Sequence, residues 1–166
     1  MILKYNKLIS SLEELKRIDR TNPFNVVGAF ISVLDLYDES SEDNVINLLQ
    51  YLVGDFQIIS PMMKQNIKDR MFQNDKYKYI AKSYFKGATP DNNYTPNIPY
   101  EIEITKDEIS DIEEGFVRLF VKSGGADSKR PVMVRLAKDG NYYVWSDSFI
   151  GLLTDIRIPE SNNPWA

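Results

Sequence analysis

Tyr143, Trp145 and Asp147 stand two residues apart, so on an extended strand their side chains share one face. A carboxylate beside a tyrosine hydroxyl in an apolar pocket can act as a general base while the hydroxyl steadies an enolate. That is isomerase or dehydratase chemistry that needs no histidine. The point matters because the 166 residues include no histidine and no cysteine. Disulfides, iron–sulfur ligation, zinc and haem sites built from His or Cys, Cys nucleophiles and His-dependent triads are all excluded. Catalysis would have to run on carboxylates and tyrosines, and a metal site would have to be made of oxygen. The competing reading makes Tyr143 and Trp145 core or rim residues and Asp147 a solvated strand end, and it is the simpler of the two.

Three other constellations have chemical possibilities. Lys64, Lys68, Arg70, Lys76, Lys78, Lys82 and Lys86 are interleaved with Phe72, Tyr77, Tyr79, Tyr84 and Phe85, and charge plus stacking platforms is what single-stranded nucleic acid binding uses. Against it, the chain carries a net charge of −4, and Lys76 to Tyr79 alternates as an ordinary surface strand would, with rings in and lysines out. Glu101, Glu103, Asp107, Glu108, Asp111, Glu113 and Glu114 form an acidic run, but their spacing lacks the alternation and central glycine of a calcium loop, so a solvated edge is expected and no metal is assigned. Ser123 to Ser128, with Lys129 and Arg130 beside it, could cradle a phosphate. It lacks the phosphate-loop pattern and links two strands instead of opening a helix, so it reads as a hairpin loop.

The elements that must position these residues fall into two halves. Ser10 and Ser11 precede Leu12, with Glu13 and Glu14 in the first turn, and Asn22-Pro23 is a stronger start, because Asn22 can cap and Pro23 suits the first helical position. From Phe24 to about Tyr37 the apolar stripe widens until little polar face remains, which predicts a central, buried helix. Ser40 to Asp43 opens another helix that ends at Gly54, and Ser60-Pro61 opens one with Met63, Ile67 and Met71 on its inner side. After the turn-rich loop from Gly87 to Pro99, Tyr100 to Thr105 alternates as a half-buried strand. Phe116 to Lys122 is a second strand, with Val117, Leu119 and Val121 on one face and Phe116, Arg118, Phe120 and Lys122 on an aromatic, basic one. Val132–Lys138 and Asn141–Ser146 form a hairpin closed by Asp139-Gly140 in a two-residue turn, which pairs Leu136 with Tyr143 and Val134 with Trp145. A slip of one residue would exchange its two faces. Phe149 to Leu153 and Ile156 to Pro159 supply closing apolar anchors.

Helices first and an antiparallel meander afterwards predict an α+β fold with the N-terminal helices on one face of a curved sheet. The chain is expected to form a single domain over 1–166, helical over about 10–75, with a loop at 87–99, the sheet at about 100–148 and a C-terminal anchor at 149–166. The order resembles the cone of nuclear transport factor 2 and ketosteroid isomerase relatives, which hosts both enzymes and pure binding modules. A second resemblance rests on Asn22-Pro23-Phe24, the run Ser83 to Pro90, Tyr94-Thr95-Pro96, Pro99-Tyr100, Leu119 to Ser128, Arg130-Pro131-Val132, Trp145 and Asp155 to Pro159. These phrases are similar to an uncharacterised, mainly Gram-positive bacterial family catalogued as a domain of unknown function. The family pattern often has Gln-Trp before another aromatic where Tyr143 stands, and commonly Glu at Ser146. The resemblance implies no activity, and it draws attention to the loop from Gly87 to Pro99 and to Arg130, Arg135 and Arg157.

The reading that follows is a cytoplasmic, non-enzymatic binding module with a pocket or sheet face lined by aromatics and arginines. Tyr84, Tyr94, Arg118, Arg135, Trp145 and Arg157 are the expected ligand contacts, and the ligand is a protein or a small molecule. Asp147 and Tyr143 carry the isomerase alternative, and the segment 64–86 carries the single-stranded nucleic acid alternative, which the net charge opposes. No cofactor is assigned. No stretch approaches the roughly 18 apolar residues of a membrane span, and sheet-to-sheet pairing would give a homodimer.

Overall fold

The computed structural model describes residues 1–106 and 113–165, so Asp107, Glu108 and Asp111 of the acidic run lie outside the described residues. Its five strands are β1 (Ile2–Tyr5), β2 (Tyr100–Lys106), β3 (Phe116–Val121), β4 (Arg130–Leu136) and β5 (Tyr142–Val144), all antiparallel and adjacent in that order. Four helices stand between β1 and β2: α1 (Leu12–Arg17), α2 (Pro23–Leu34), α3 (Glu42–Val53) and α4 (Pro61–Phe72). The fold is α+β, as the element order predicts. The first half of β2 pairs with β1 and its end pairs with β3, which curls the sheet into a half-barrel.

Local signals act where the sequence places them. The Asn22 side chain accepts from the Phe24 N–H and Pro23 opens α2; the Ser60 side chain accepts from the Met63 N–H and Pro61 opens α4. From Val26 to Leu34, α2 is buried all round, and Met63, Ile67 and Met71 turn inward from α4. Phe149, Leu152, Leu153 and Ile156 close the core from the C-terminal side.

Three expectations are corrected. β1 has no counterpart among the expected strands, because its few residues pair far along the chain: Met1 N–H donates to Ile104, a separation of 103 positions. The segment Gln73–Lys78 is a short 3-10 turn, not a strand, and Tyr79, Tyr84 and Phe85 after it are buried. The hairpin register differs by one residue, since Arg135 pairs with Tyr143 and Val134 with Val144. Here the Ala137 N–H donates to the Asn141 carbonyl while the Gly140 N–H donates to the Ala137 carbonyl. Lys138, Asp139 and Gly140 therefore make a three-residue loop, with Gly140 at φ 84° where a left-handed backbone is needed. The faces exchange accordingly: Val132, Val134 and Val144 are buried inward, while Arg135 and Trp145 stand outside.

The buried tyrosines give a pH prediction. Burial pushes the Tyr5 and Tyr94 hydroxyls up to about 12, and that of Tyr84 further up. A phenol held neutral in the fold contributes stability that is fully present below its unfolded value of about 10 and is lost as pH rises through the folded value. Stability is therefore expected to fall between about pH 10 and 12. Absorbance at 295 nm should show a late group of phenolates that appears together with loss of far-ultraviolet circular dichroism. Titration of all 10 tyrosines near pH 10 with the fold intact would contradict it.

Candidate functional site

Strand register arranges the outer sheet face in rows. Phe116, Arg135 and Tyr143 pair in one row across β3, β4 and β5. Arg118 pairs with Met133, whose carbonyl accepts from the Trp145 N–H, which makes the next row, and Phe120 with Pro131 makes the last. Period-two alternation turns the branched aliphatics of these strands inward, so this face is left with rings and guanidinium groups.

Arg135 is exposed, and its guanidinium carbon lies 4.7 Å from the Phe116 ring centroid and 4.8 Å from that of Trp145. The two rings meet edge to face at 5.0 Å and 89°, so they form a corner that holds the planar cation. Each such contact contributes roughly 0.5–1 kcal/mol at an exposed site. Several cations of the chain face carboxylates, among them Lys82 with Asp35 at 2.8 Å and Arg157 with Asp127 at 2.8 Å. Arg135 has no carboxylate partner among the described residues. Arg118, in the neighbouring row, lies 5.9 Å from the Phe120 ring centroid.

Beside this corner, Tyr143 is covered by Phe56, edge to face at 4.9 Å, and by Arg20, which sits between the Tyr51 and Tyr143 rings. The Tyr143 hydroxyl donates to Asp139 at 2.6 Å; this bond, with one from the Asn141 N–H, holds the Asp139 carboxyl below the usual carboxylate range. Burial and that same carboxylate push the Tyr143 hydroxyl up. A groove of about 470 Å³ runs between Phe56, Gln57, Arg135, Lys138, Tyr143 and Trp145. A second of about 340 Å³ adjoins it, sharing Gln57 and Trp145 and reaching Ile58, Ser60 and Asp147.

Gln57 carries no signal in the sequence, yet it finishes the sheet. Its amide donates to the Val53 and Val144 carbonyls and its oxygen accepts from the Ser146 N–H. With Tyr142 N–H donating to the Arg20 carbonyl, the outer edge of β5 is occupied.

The remaining expected contacts lie elsewhere. Tyr84 is buried and donates to the Leu152 carbonyl; Tyr94 is buried, stacks on Tyr79 and donates to the Arg157 carbonyl. Both tie the C-terminal segment to the core. Arg157 pairs with Asp127 at the end of the β3–β4 loop, about a separate groove with Thr89, Asp91 and Glu160. Asp147 and Tyr143 do not form a pair: Ser146 adopts φ 39°, which ends the strand before residue 147, and Asp147 is exposed. Of the aromatics of the segment 64–86, Tyr79, Tyr84 and Phe85 are buried and Phe72 and Tyr77 pack partly buried against the core, while Lys82 is spent on Asp35.

Four of the phrases that carry the family resemblance, those at 83–90, 119–128, 130–132 and 155–159, meet in one knot. Ser123 Oγ donates to Ser83 Oγ, the Gly124 N–H to the Ser83 carbonyl, the Arg157 N–H to the Gly125 carbonyl, and Arg130 to the Asp155 carbonyl and Ser128. Of the three arginines singled out, Arg130 and Arg157 are thus loop ties, and Arg135 is held by rings.

No helix of the described residues is long and apolar enough to cross a membrane. A family model described as domain of unknown function DUF6935 matches residues 7–160. No curated protein and no solved structure matches the chain.

Proposed function

The chain belongs to the family described as domain of unknown function DUF6935, and from that premise we propose that it is a binding module whose ligand face is the outer side of β3, β4 and β5. The ligand carries an anionic group beside an apolar or aromatic surface. One observation carries this reading: Arg135 is held open by Phe116 and Trp145 and offers its charge to solvent without a carboxylate partner among the described residues. A guanidinium backed by rings keeps its N–H fork in plane and ready for a carboxylate, sulfonate or phosphate, and the rings supply the apolar contact. The curled sheet around α2 supports the likeness to the cone of nuclear transport factor 2 relatives, a fold that serves binding as readily as catalysis. The isomerase alternative lacks its central pair, since the hydroxyl of Tyr143 is directed to Asp139.

The aromatic sulfonate 8-anilinonaphthalene-1-sulfonate matches this chemistry and serves as a probe. Its fluorescence is expected to rise saturably with the intact protein, and Arg135→Ala or Trp145→Ala should weaken binding about tenfold, the equivalent of about 1.4 kcal/mol. Lys86→Ala, in the distinct groove lined by Glu101 and Lys122, should leave it unchanged. Titrations that do not respond to either change on the outer face would refute the reading.

A further inference from the structure

Resting on the binding face just described, we propose that its natural occupant is a short peptide segment of a partner protein that combines acidic and apolar residues. The peptide lies along the outer face from Arg135, past Trp145, to the loop between α3 and α4. Four observations select this occupant. The two grooves adjoin through Gln57 and Trp145, so the site is a run of about 470 and 340 Å³ and not one closed pocket. One end carries two exposed cations, Arg135 and Lys138, against one carboxylate, Asp139, which already accepts from the Tyr143 hydroxyl and the Asn141 N–H, in a chain whose net charge is −4, and this end, with one cation in excess, complements a carboxylate. The other end is apolar and open to solvent, with Phe56 65% and Ile58 81% exposed, which is more than isolated surface residues require. The edge of β5 is closed by Gln57 and the Arg20 carbonyl, so a partner is read by side chains of the face and not by strand addition.

The same features turn away other occupants. A second copy docking face to face would bring the cations of Arg135 and Lys138 against their own kind. A lipid surface calls for cations all round the exposed apolar residues, whereas Arg135 and Lys138 stand on the Phe56 side only and the carboxylates of Asp139 and Asp147 line the same two grooves.

The test pans a library of random 12-residue peptides against the intact protein and measures the selected peptides by titration. Selected sequences are expected to place Asp or Glu within a few residues of Leu, Ile, Phe or Trp. Arg135→Glu and Ile58→Asp should each weaken them at least tenfold while circular dichroism stays unchanged, both side chains being exposed. A peptide with its acids changed to lysine should regain affinity for the Arg135→Glu variant. Failure to enrich any peptide, or peptides indifferent to both substitutions, would overturn the proposal. So would Ile58-dependent binding to vesicles of phosphatidylcholine and phosphatidylserine, or an Ile58-dependent dimer by light scattering. Should Arg135 still govern the aromatic sulfonate, the binding face stands and only the peptide assignment falls.

Discussion

Gly124→Ala is expected to lower the melting temperature by roughly 5–10 °C, from a destabilisation of about 2–3 kcal/mol at about 2–4 °C for each kcal/mol in a chain of this size. The backbone of Gly124 is not left-handed, so the effect is one of contact alone. A Cβ at this position would stand 2.0 Å from the Ala88 carbonyl oxygen, and that neighbour is backbone. Retreat is blocked as well, because the Gly124 N–H donates to the Ser83 carbonyl at 2.7 Å and Ser123 is bonded to Ser83 beneath it. One methyl group therefore has to part the β3–β4 loop from the loop at 83–90. Gly140→Ala is the comparison: there the added Cβ meets nothing within 4 Å, but φ is 84°, so the cost is the left-handed backbone, about 1–2 kcal/mol. Thermal melts followed by circular dichroism decide the matter. A Gly124→Ala melt no lower than that of Gly140→Ala would show that the two loops are not locked together.

Gln57→Ala is expected to act at the opposite side of the molecule and by a different route. The substitution removes two donors and one acceptor: the bonds to the Val53 and Val144 carbonyls at 2.9 and 3.2 Å, and the one from the Ser146 N–H at 2.8 Å. Groups left without partners cost about 1–3 kcal/mol each when buried and less where water can reach them, so a loss of about 2 kcal/mol and a fall of roughly 4–8 °C is expected. The edge of β5 then presents a free carbonyl and a free N–H, an invitation to pair with another chain. Light scattering should show species that grow with protein concentration. An unchanged melt and a single size at all concentrations would mean that the edge is closed by something other than Gln57.

The sequence made the helices legible because their signals are local. Asn22-Pro23 and Ser60-Pro61 cap and open the helices they precede, and the continuous apolar stripe after Phe24 correctly marks the buried one. The faces of β3 follow from alternation alone, and Val117, Leu119 and Val121 lie inward as expected. What remained hidden depends on distance or on a single residue. β1 is short and its partner is far along the chain. The hairpin register turns on whether Lys138 belongs to the strand or to the turn, and Gly140 serves a two-residue or a three-residue loop equally well. That one residue decides which side chains face solvent, and it brings Arg135 onto the face of Tyr143 and Trp145. Tyr84 and Tyr94 show the converse: a tyrosine in a loop phrase reads as a contact, whereas its hydroxyl here satisfies a carbonyl of the C-terminal segment. Gln57 and Arg20 carry no pattern at all, because their work is to meet backbone groups and rings supplied by distant elements.

The central claim, that the outer face at Arg135 is the ligand site, is tested most directly by the two tryptophans of the chain. Trp145 stands in the ring corner around Arg135 and Trp165 is 92% exposed near the C-terminus, so their indole N–H signals in a 15N correlation spectrum report two separate places. Titration with the aromatic sulfonate should shift the Trp145 indole and the backbone signals of Phe116, Arg135 and Tyr143, leave Trp165 in place, and lose these shifts in Arg135→Ala. A Trp145 signal that stays put while the largest shifts gather around Lys86, Thr89 and Glu101 would contradict the account and move the site to the other groove.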